Sequence, residues 1–278
     1  MTAGVVGIVL ASGLLHALWN LMVHSGEDRL RTMTIVGSTM AAAGAIVLAC
    51  SSLPDRAVWK FVAISAAFEL AYHLLLVGAY ERGELSSMYP IARGTAPVLV
   101  LFGGNAFSSE PISYSMLVSV CCIGGGVLLL GLGPNVRLSG VLFAGAAGTC
   151  IAGYTVTDAI GVREASDGLV YIAAVFFLTG LPLPAILWRC RGPTVFQAPR
   201  IEVIKGVVAG AVSIAAYGSV IWAMQFGQMA MVAALRECSV LFAAVLGVWI
   251  LQEAFTLRKL GGCLLLSAGL LALNVAVD

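Results

Sequence analysis

Long apolar runs separated by short polar punctuation make up almost the whole chain. Ten such runs, each of about 20 mostly apolar residues, lie near 3–23, 32–52, 58–80, 87–106, 112–132, 138–158, 167–188, 203–224, 229–250 and 256–276. About 20 residues at a helical rise of ~1.5 Å each cross the ~30 Å hydrocarbon core of a bilayer. The pattern therefore predicts an all-α integral membrane protein with ten transmembrane helices. The punctuation is GEDRLR at 26–31, LPDR at 53–56, ERGE at 81–84, SSEP at 108–111 and GPNVR at 133–137. The longest connection, RCRGPTVFQAPR at 189–200, is too short for a soluble domain, so the chemistry belongs to the bundle or its mouths. The first run has no basic lead and continues through His16, Trp19 and Asn20, which reads as a retained helix rather than a cleaved signal.

The runs repeat. Sliding the chain until Met88 falls on Met231 lays 87–130 over 230–273 without a gap. Arg93, Gly104, Glu110 and Gly126 then meet Arg236, Gly247, Glu253 and Gly269. Apolar matches come cheaply in such a chain, but Arg on Arg and Glu on Glu do not. With a small shift, HALWN at 16–20 lies over YTVTD at 154–158. The expected division is one five-helix repeat over 1–135 and a second over 136–278. An odd number of helices per repeat makes the second cross in the opposite sense, giving an inverted repeat with a two-fold axis in the membrane plane. Odd-numbered loops carry ten Lys and Arg residues and even-numbered loops three. That bias predicts cytoplasmic odd loops and both termini outside.

Composition agrees with lipid as the solvent. Hydrophobic types make up 60% of the 278 residues and charged types 10%, against about 45–50% and about 25% in soluble domains. The net charge of +1 offers nothing to nucleic acid. The seven cysteines form no CxxC and have no zinc spacing, so they read as small packing residues. His16, His24 and His73 form no metal cluster by spacing. Neither a phosphate-binding GxxxxGK[ST] nor a hydrolytic motif occurs, so no ATP-driven step, cofactor or metal is expected. Gly206 to Gly210 is a GxxxG, read as internal helix packing rather than dimerisation.

The segments HALWN at 16–20, YPIARGTAPVLVLFGG at 89–104, GYTVTDAIGVR at 153–163 and ALRECSVLFAAVLGVWILQE at 234–253 resemble the drug/metabolite transporter superfamily in its EamA-type branch. Glu253 with Leu260, Gly261 and Gly269 is similar to the tail of an EamA repeat. The resemblance implies ten helices in two inverted halves. It also implies secondary transport, often export, of a small metabolite across a bacterial-type inner (plasma) membrane, and it names no substrate. The first repeat has Pro90 and Pro97 where the second has Ala233 and Val240.

Ionisable side chains inside apolar runs are costly, roughly 2.5–3.5 kcal/mol on insertion scales, and those that persist face a cavity or a partner. Glu69 and His73 lie four apart in helix three and share a face. They read either as a proton-coupling or substrate-charge site or as an internal pair. Arg93 and Arg236 each lie about seven residues into their helices, about 10 Å deep, and either bind an anionic group or pair with Glu237 or Glu69. Contact of His73 with Arg93 is a further option at that depth. Pro90 and Pro97 bracket Arg93 and are expected to disturb the helix beside it. His16, Trp19 and Asn20, with Tyr89, and the matching Tyr154 and Asp158, either line a solute path or serve as interhelical hydrogen-bond glue. Glu110 and Glu253 are expected to act in folding or topology, and Glu81 and Glu84 to be solvated.

The favoured reading is a secondary transporter with a central cavity lined by helices one, three, four, six, eight and nine, coupled to protons through Glu69 and His73. A zwitterion or anion suits the mixed charges better than a bulky cation. The competing readings are an intramembrane enzyme acting on a lipid-linked substrate, with Glu69 and His73 as acid and base, and an accessory membrane subunit.

Overall fold

The structure is a computed structural model that describes residues 1–24, 28–83, 85–131, 137–192, 199–250 and 256–275. These are all-helical, with no strand among the described residues. The helices are α1 (Ala3–His24), α2 (Arg29–Cys50), α3 (Trp59–Tyr80), α4 (Leu85–Ser108), α5 (Tyr114–Gly131) and α6 (Leu138–Glu164). They continue with α7 (Gly168–Gly180), α8 (Pro182–Arg191), α9 (Arg200–Ala223), α10 (Met229–Arg236), α11 (Cys238–Trp249) and α12 (Leu257–Val275). Each predicted run is a helix to within a few residues, except that the seventh and ninth are each divided in two. Eight helical segments are long and apolar enough to cross a bilayer. Large apolar side chains such as Ile46, Leu74, Phe107, Leu142, Trp249 and Leu271 stand on the outer surface, as expected of a bundle whose solvent is lipid.

Side chains fix several helix ends. Asp28 accepts from the amides of Leu30 and Arg31 at the start of α2, and Asp167 does the same for Leu169 and Val170 in α7. Each satisfies two of the amides that a helix start leaves open. Ser113 Oγ accepts from Met116 N at 3.2 Å ahead of α5, and Thr256 Oγ1 accepts from Lys259 N at 3.3 Å ahead of α12. Ser113 falls on Thr256 in the same repeat alignment that lays Met88 over Met231.

Prolines mark one of the two breaks but not the other, and two further prolines make none. α4 runs unbroken through Pro90 and Pro97. Each proline removes one backbone bond, but α4 is packed between α5 and α6. There a Cβ on Gly94 would meet the carbonyl oxygen of Gly124 at 2.8 Å, and one on Gly124 would meet that of Gly94 at 2.6 Å. Backbones this close hold the helix together. The ninth run divides at Glu237, which has no proline or glycine beside it. The chain passes it in a tight turn, with Glu237 N on Ala234 O and Val240 N on Glu237 O. The seventh divides at Leu181, ahead of Pro182 and Pro184. Gly206 and Gly210 of the GxxxG pack on Ile35 and Thr39 of α2, so this motif is internal.

Packing runs in matched pairs. α3 lies along α6, and α9 along α1. α4 packs on α6, and α10 and α11 pack on α1. α3 meets α7, and α9 meets α2. α2 against α7, α5 against α12 and α4 against α10 join elements that correspond to each other, whereas the packing of α4 on α5 is much more extensive than that of α10 and α11 on α12.

Candidate functional site

The buried charges gather where α1, α3, α4, α6, α9 and α10 meet. Arg93 of α4 is 3% exposed and donates from Nη2 to Glu237 Oε1 at 2.9 Å, with Ser239 Oγ at 3.5 Å. The pair is end-on, because Arg93 Nε and Glu237 Oε2 are buried without hydrogen-bond partners. Glu237 sits at the turn between α10 and α11, so the ion pair ties the helix break to α4.

Arg236, the repeat mate of Arg93, stands differently. It is 6% exposed, and no carboxylate lies within 4.0 Å of it among the described residues. Its guanidinium lies over the ring of Tyr217 at 5.3 Å, and it interacts electrostatically with Tyr154. Glu69 of α3 interacts electrostatically with Arg236, while the nearby Thr179 Oγ1 donates to Val175 O at 2.9 Å. Its Oε2 is buried with no hydrogen-bond partner.

His73 does not reach the Glu69 carboxylate. Its Nδ1 hydrogen-bonds the backbone carbonyl of Glu69 at 2.7 Å, and its ring meets Tyr72 edge-on. No hydrogen bond or ion pair joins His73 to Arg93 among the described residues.

The stripe of α1 bonds to itself and to α4. Trp19 Nε1 donates to His16 Nδ1 at 3.3 Å, which assigns the ring proton of His16 to Nε2, 3.4 Å from Tyr89 Oη. Asn20 Nδ2 donates to the His16 carbonyl. On α6, Asp158 is 0% exposed and accepts from Tyr217 Oη at 2.6 Å and Tyr171 Oη at 3.0 Å. Tyr72, Tyr154, Tyr217 and Phe176 form a chain of edge-on ring contacts through the centre. Tyr217, Tyr72, Tyr171 and Ser239 are absent from the sequence expectations. A tyrosine or serine in an apolar run gives no pairing signal until its partner is placed.

A cavity of about 10 Å³ lies beside this cluster, lined by Pro97, Thr155, Arg236 and Glu237 among others. That is room for about one water. No group of three or more metal-ligating side chains occurs among the described residues.

At one end of the bundle, side chains tie the elements together. Arg163, at the end of α6, donates to Glu110 Oε1 at 2.8 Å, Met224 O at 2.7 Å and Gly227 O at 2.6 Å. Glu110 in turn accepts from the first amide of α10, Met229 N, at 3.0 and 3.1 Å. Glu81 pairs with Arg82 at the surface. Glu84 and Glu253 lie outside the described residues.

Residues 138–275 match the model of the EamA-like transporter family. No curated protein matches the chain. A protein of known crystal structure superposes with a TM-score of 0.78 at 18% identity, over 99% of this chain and 100% of its own. At that identity the likeness shows the fold alone. Through residues 138–275 the chain belongs to the EamA-like transporter family, multi-pass integral membrane transporters of the drug/metabolite type.

Proposed function

We propose that the protein is a gradient-driven secondary transporter that exports a small metabolite by alternating access between two inverted five-helix repeats, 1–135 and 136–278. The observation that carries this reading is the pair Arg236 and Glu69. Both are ionisable, both sit inside a bilayer-spanning bundle, and neither has an ion partner among the described residues. Buried charge without a partner is expensive, and in membrane proteins it marks substrate and ion pathways. The matched packing pairs and the two equivalent caps, Ser113 and Thr256, support the repeat. Two near-equivalent halves suit the exchange of inward-open and outward-open shapes. The family match favours transport over a lipid-acting enzyme or an accessory subunit.

Proton coupling through Glu69 and His73 is part of the proposal. The imidazole is tied to the helix backbone rather than to the carboxylate, so the proton acceptor is Glu69, with His73 holding the local backbone. Purified protein in pH-clamped liposomes tests this. Amino acids, sugars, nucleotide sugars and other small metabolites are screened for saturable uptake, with and without a proton gradient. The expected result is a solute whose gradient stimulation is lost in Glu69→Gln and only weakened in His73→Ala. A solute carried equally well by Glu69→Gln would remove the coupling role. Well-folded protein that moves nothing across the panel would count against transport.

A further inference from the structure

Three helices supply the lining of the small central cavity: α4 with Pro97 and Val100, α6 with Thr155, and α10 with Ala233 and Arg236. The same three are fastened to one another at one end. Glu110 follows α4, Arg163 lies in the last turn of α6, and Met229 opens α10. Glu110 accepts from Arg163 Nη1 at 2.8 Å and from Met229 N at 3.0 Å. Arg163 also takes the carbonyls of Met224 and Gly227, in the connection from α9 to α10. Counted along the helices, Ala233 lies about 6 Å from Met229, and Thr155 about 12 Å from Arg163. The fastening therefore stands about one to two turns from the cavity, on the three helices that line it.

The buried pair Arg93–Glu237 is costly to separate, because each charge would be left bare in the bundle. Arg163 and Glu110 differ, with side chains 28% and 13% exposed. At that border water can replace lost partners, and ion pairs open cheaply. The two carbonyls that Arg163 holds follow α9 rather than lie within it, and the amide that Glu110 holds is the first of α10. Releasing all of them breaks no bond inside a helix. A different ion pair, Arg31 with Glu202 at 3.3 Å, joins α2 to α9, and neither of those helices lines the cavity. We infer that Glu110 and Arg163 form a releasable clasp, which keeps the cavity shut from this end and whose opening exposes it to water from this side alone. The inference rests on the transporter reading for what passes through. Glu110 and Arg163 belong to different proposed halves, so the clasp joins the parts that alternating access must separate.

The test reads accessibility and needs no solute. A single cysteine at Ala233, in a chain whose seven native cysteines are replaced, is labelled with a membrane-impermeant thiol reagent in intact cells and in inside-out vesicles. Ser113→Cys marks the clasp side, because Ser113 lies in the same connection as Glu110. From that side, Glu110→Gln should speed labelling of Ala233→Cys about fivefold or more, the scale of losing a part-exposed ion pair and a hydrogen bond to a charged group. Arg163→Lys keeps the charge but loses the reach to both carbonyls, and should fall between wild type and Glu110→Gln. From the opposite side the rates should not change. With the clasp intact, salt at about 1 M, which screens beyond about 3 Å, should speed labelling from the clasp side about twofold. That arm decides if Glu110→Gln does not fold, and a rate indifferent to salt would then overturn the proposal. Unchanged labelling in a folded Glu110→Gln protein would overturn it too, as would an equal rise from both sides, which marks general loosening. One-sided opening in a protein that moves no solute in liposomes would support the clasp and count against the transporter reading alone. Flux that persists while Glu110→Gln leaves labelling unchanged would do the reverse.

Discussion

Arg93 donates to Glu237 over 2.9 Å, yet Arg93 Nε and the second carboxylate oxygen of Glu237 stay unpartnered. A half-satisfied buried pair is held together by how much worse either charge is alone. Removing one partner of such a pair costs about 3–5 kcal/mol, while replacing both with apolar residues of similar volume is often neutral. Glu237→Ala should therefore destabilise the protein by about that amount in detergent unfolding, and Arg93→Met with Glu237→Met should cost less than Glu237→Ala alone. Equal stability of Glu237→Ala and wild type would show that the pair contributes nothing. Asp158 is the contrasting case, with both oxygens bonded to tyrosine hydroxyls. Tyr217→Phe and Tyr171→Phe each remove one donor from it, and each should cost about 1.5–3 kcal/mol, the range for hydrogen bonds to charged groups. An unchanged melting temperature in both variants would show that Asp158 does not depend on them. At this scale the sequence was informative about which residues are unusual and less so about which partner each one takes. Arg93 and Arg236 look equivalent in the repeat, yet among the described residues Arg93 has a carboxylate within 4.0 Å and Arg236 has none. That difference comes from the turn at Glu237, which directs the acid to α4.

Short α10 shows how an element is positioned by its ends. All eight of its residues are buried. Its first amide is held by Glu110, which Arg163 anchors while also taking the carbonyls of Met224 and Gly227. Its last residue adjoins Glu237, which Arg93 holds. The two ion pairs thus bracket the helix that carries Arg236. Glu110→Ala should strip the cap and leave Arg163 without its acid, lowering stability by about 0.5–2 kcal/mol for the cap alone. Glu110→Gln keeps an acceptor and should cost less. If the two variants unfold alike, the capping role is wrong. Apolar period and turn residues made the ten runs legible, because helix length in lipid is set by bilayer thickness. The division at Glu237 was not legible. The usual breakers, Pro90 and Pro97, sit in a helix that packing keeps whole, whereas the observed turn forms where a buried carboxylate is held by a cation from another helix.

Across the whole molecule, most packing pairs exchange when α1 to α5 are matched in order with α6 to α12, which supports the proposed two halves. The matched caps make the point with single atoms. Ser113 and Thr256 occupy equivalent positions in the repeat alignment, and each accepts from the amide three residues on. If the halves are inverted, these two caps lie on opposite sides of the membrane. The Lys and Arg bias of the loops then assigns Ser113 to the outside and Thr256 to the cytoplasm. Single cysteines at Ser113 and Thr256, in a chain whose seven native cysteines are replaced, read this directly with a membrane-impermeant thiol reagent. Ser113→Cys should label in intact cells, and Thr256→Cys only after permeabilisation. The reverse assignment would keep the inverted repeat and overturn the charge-based orientation. Labelling of both from the same side would make the repeat parallel. The two halves could then no longer exchange inward-open and outward-open shapes by symmetry, and alternating access would need a different structural basis in this chain.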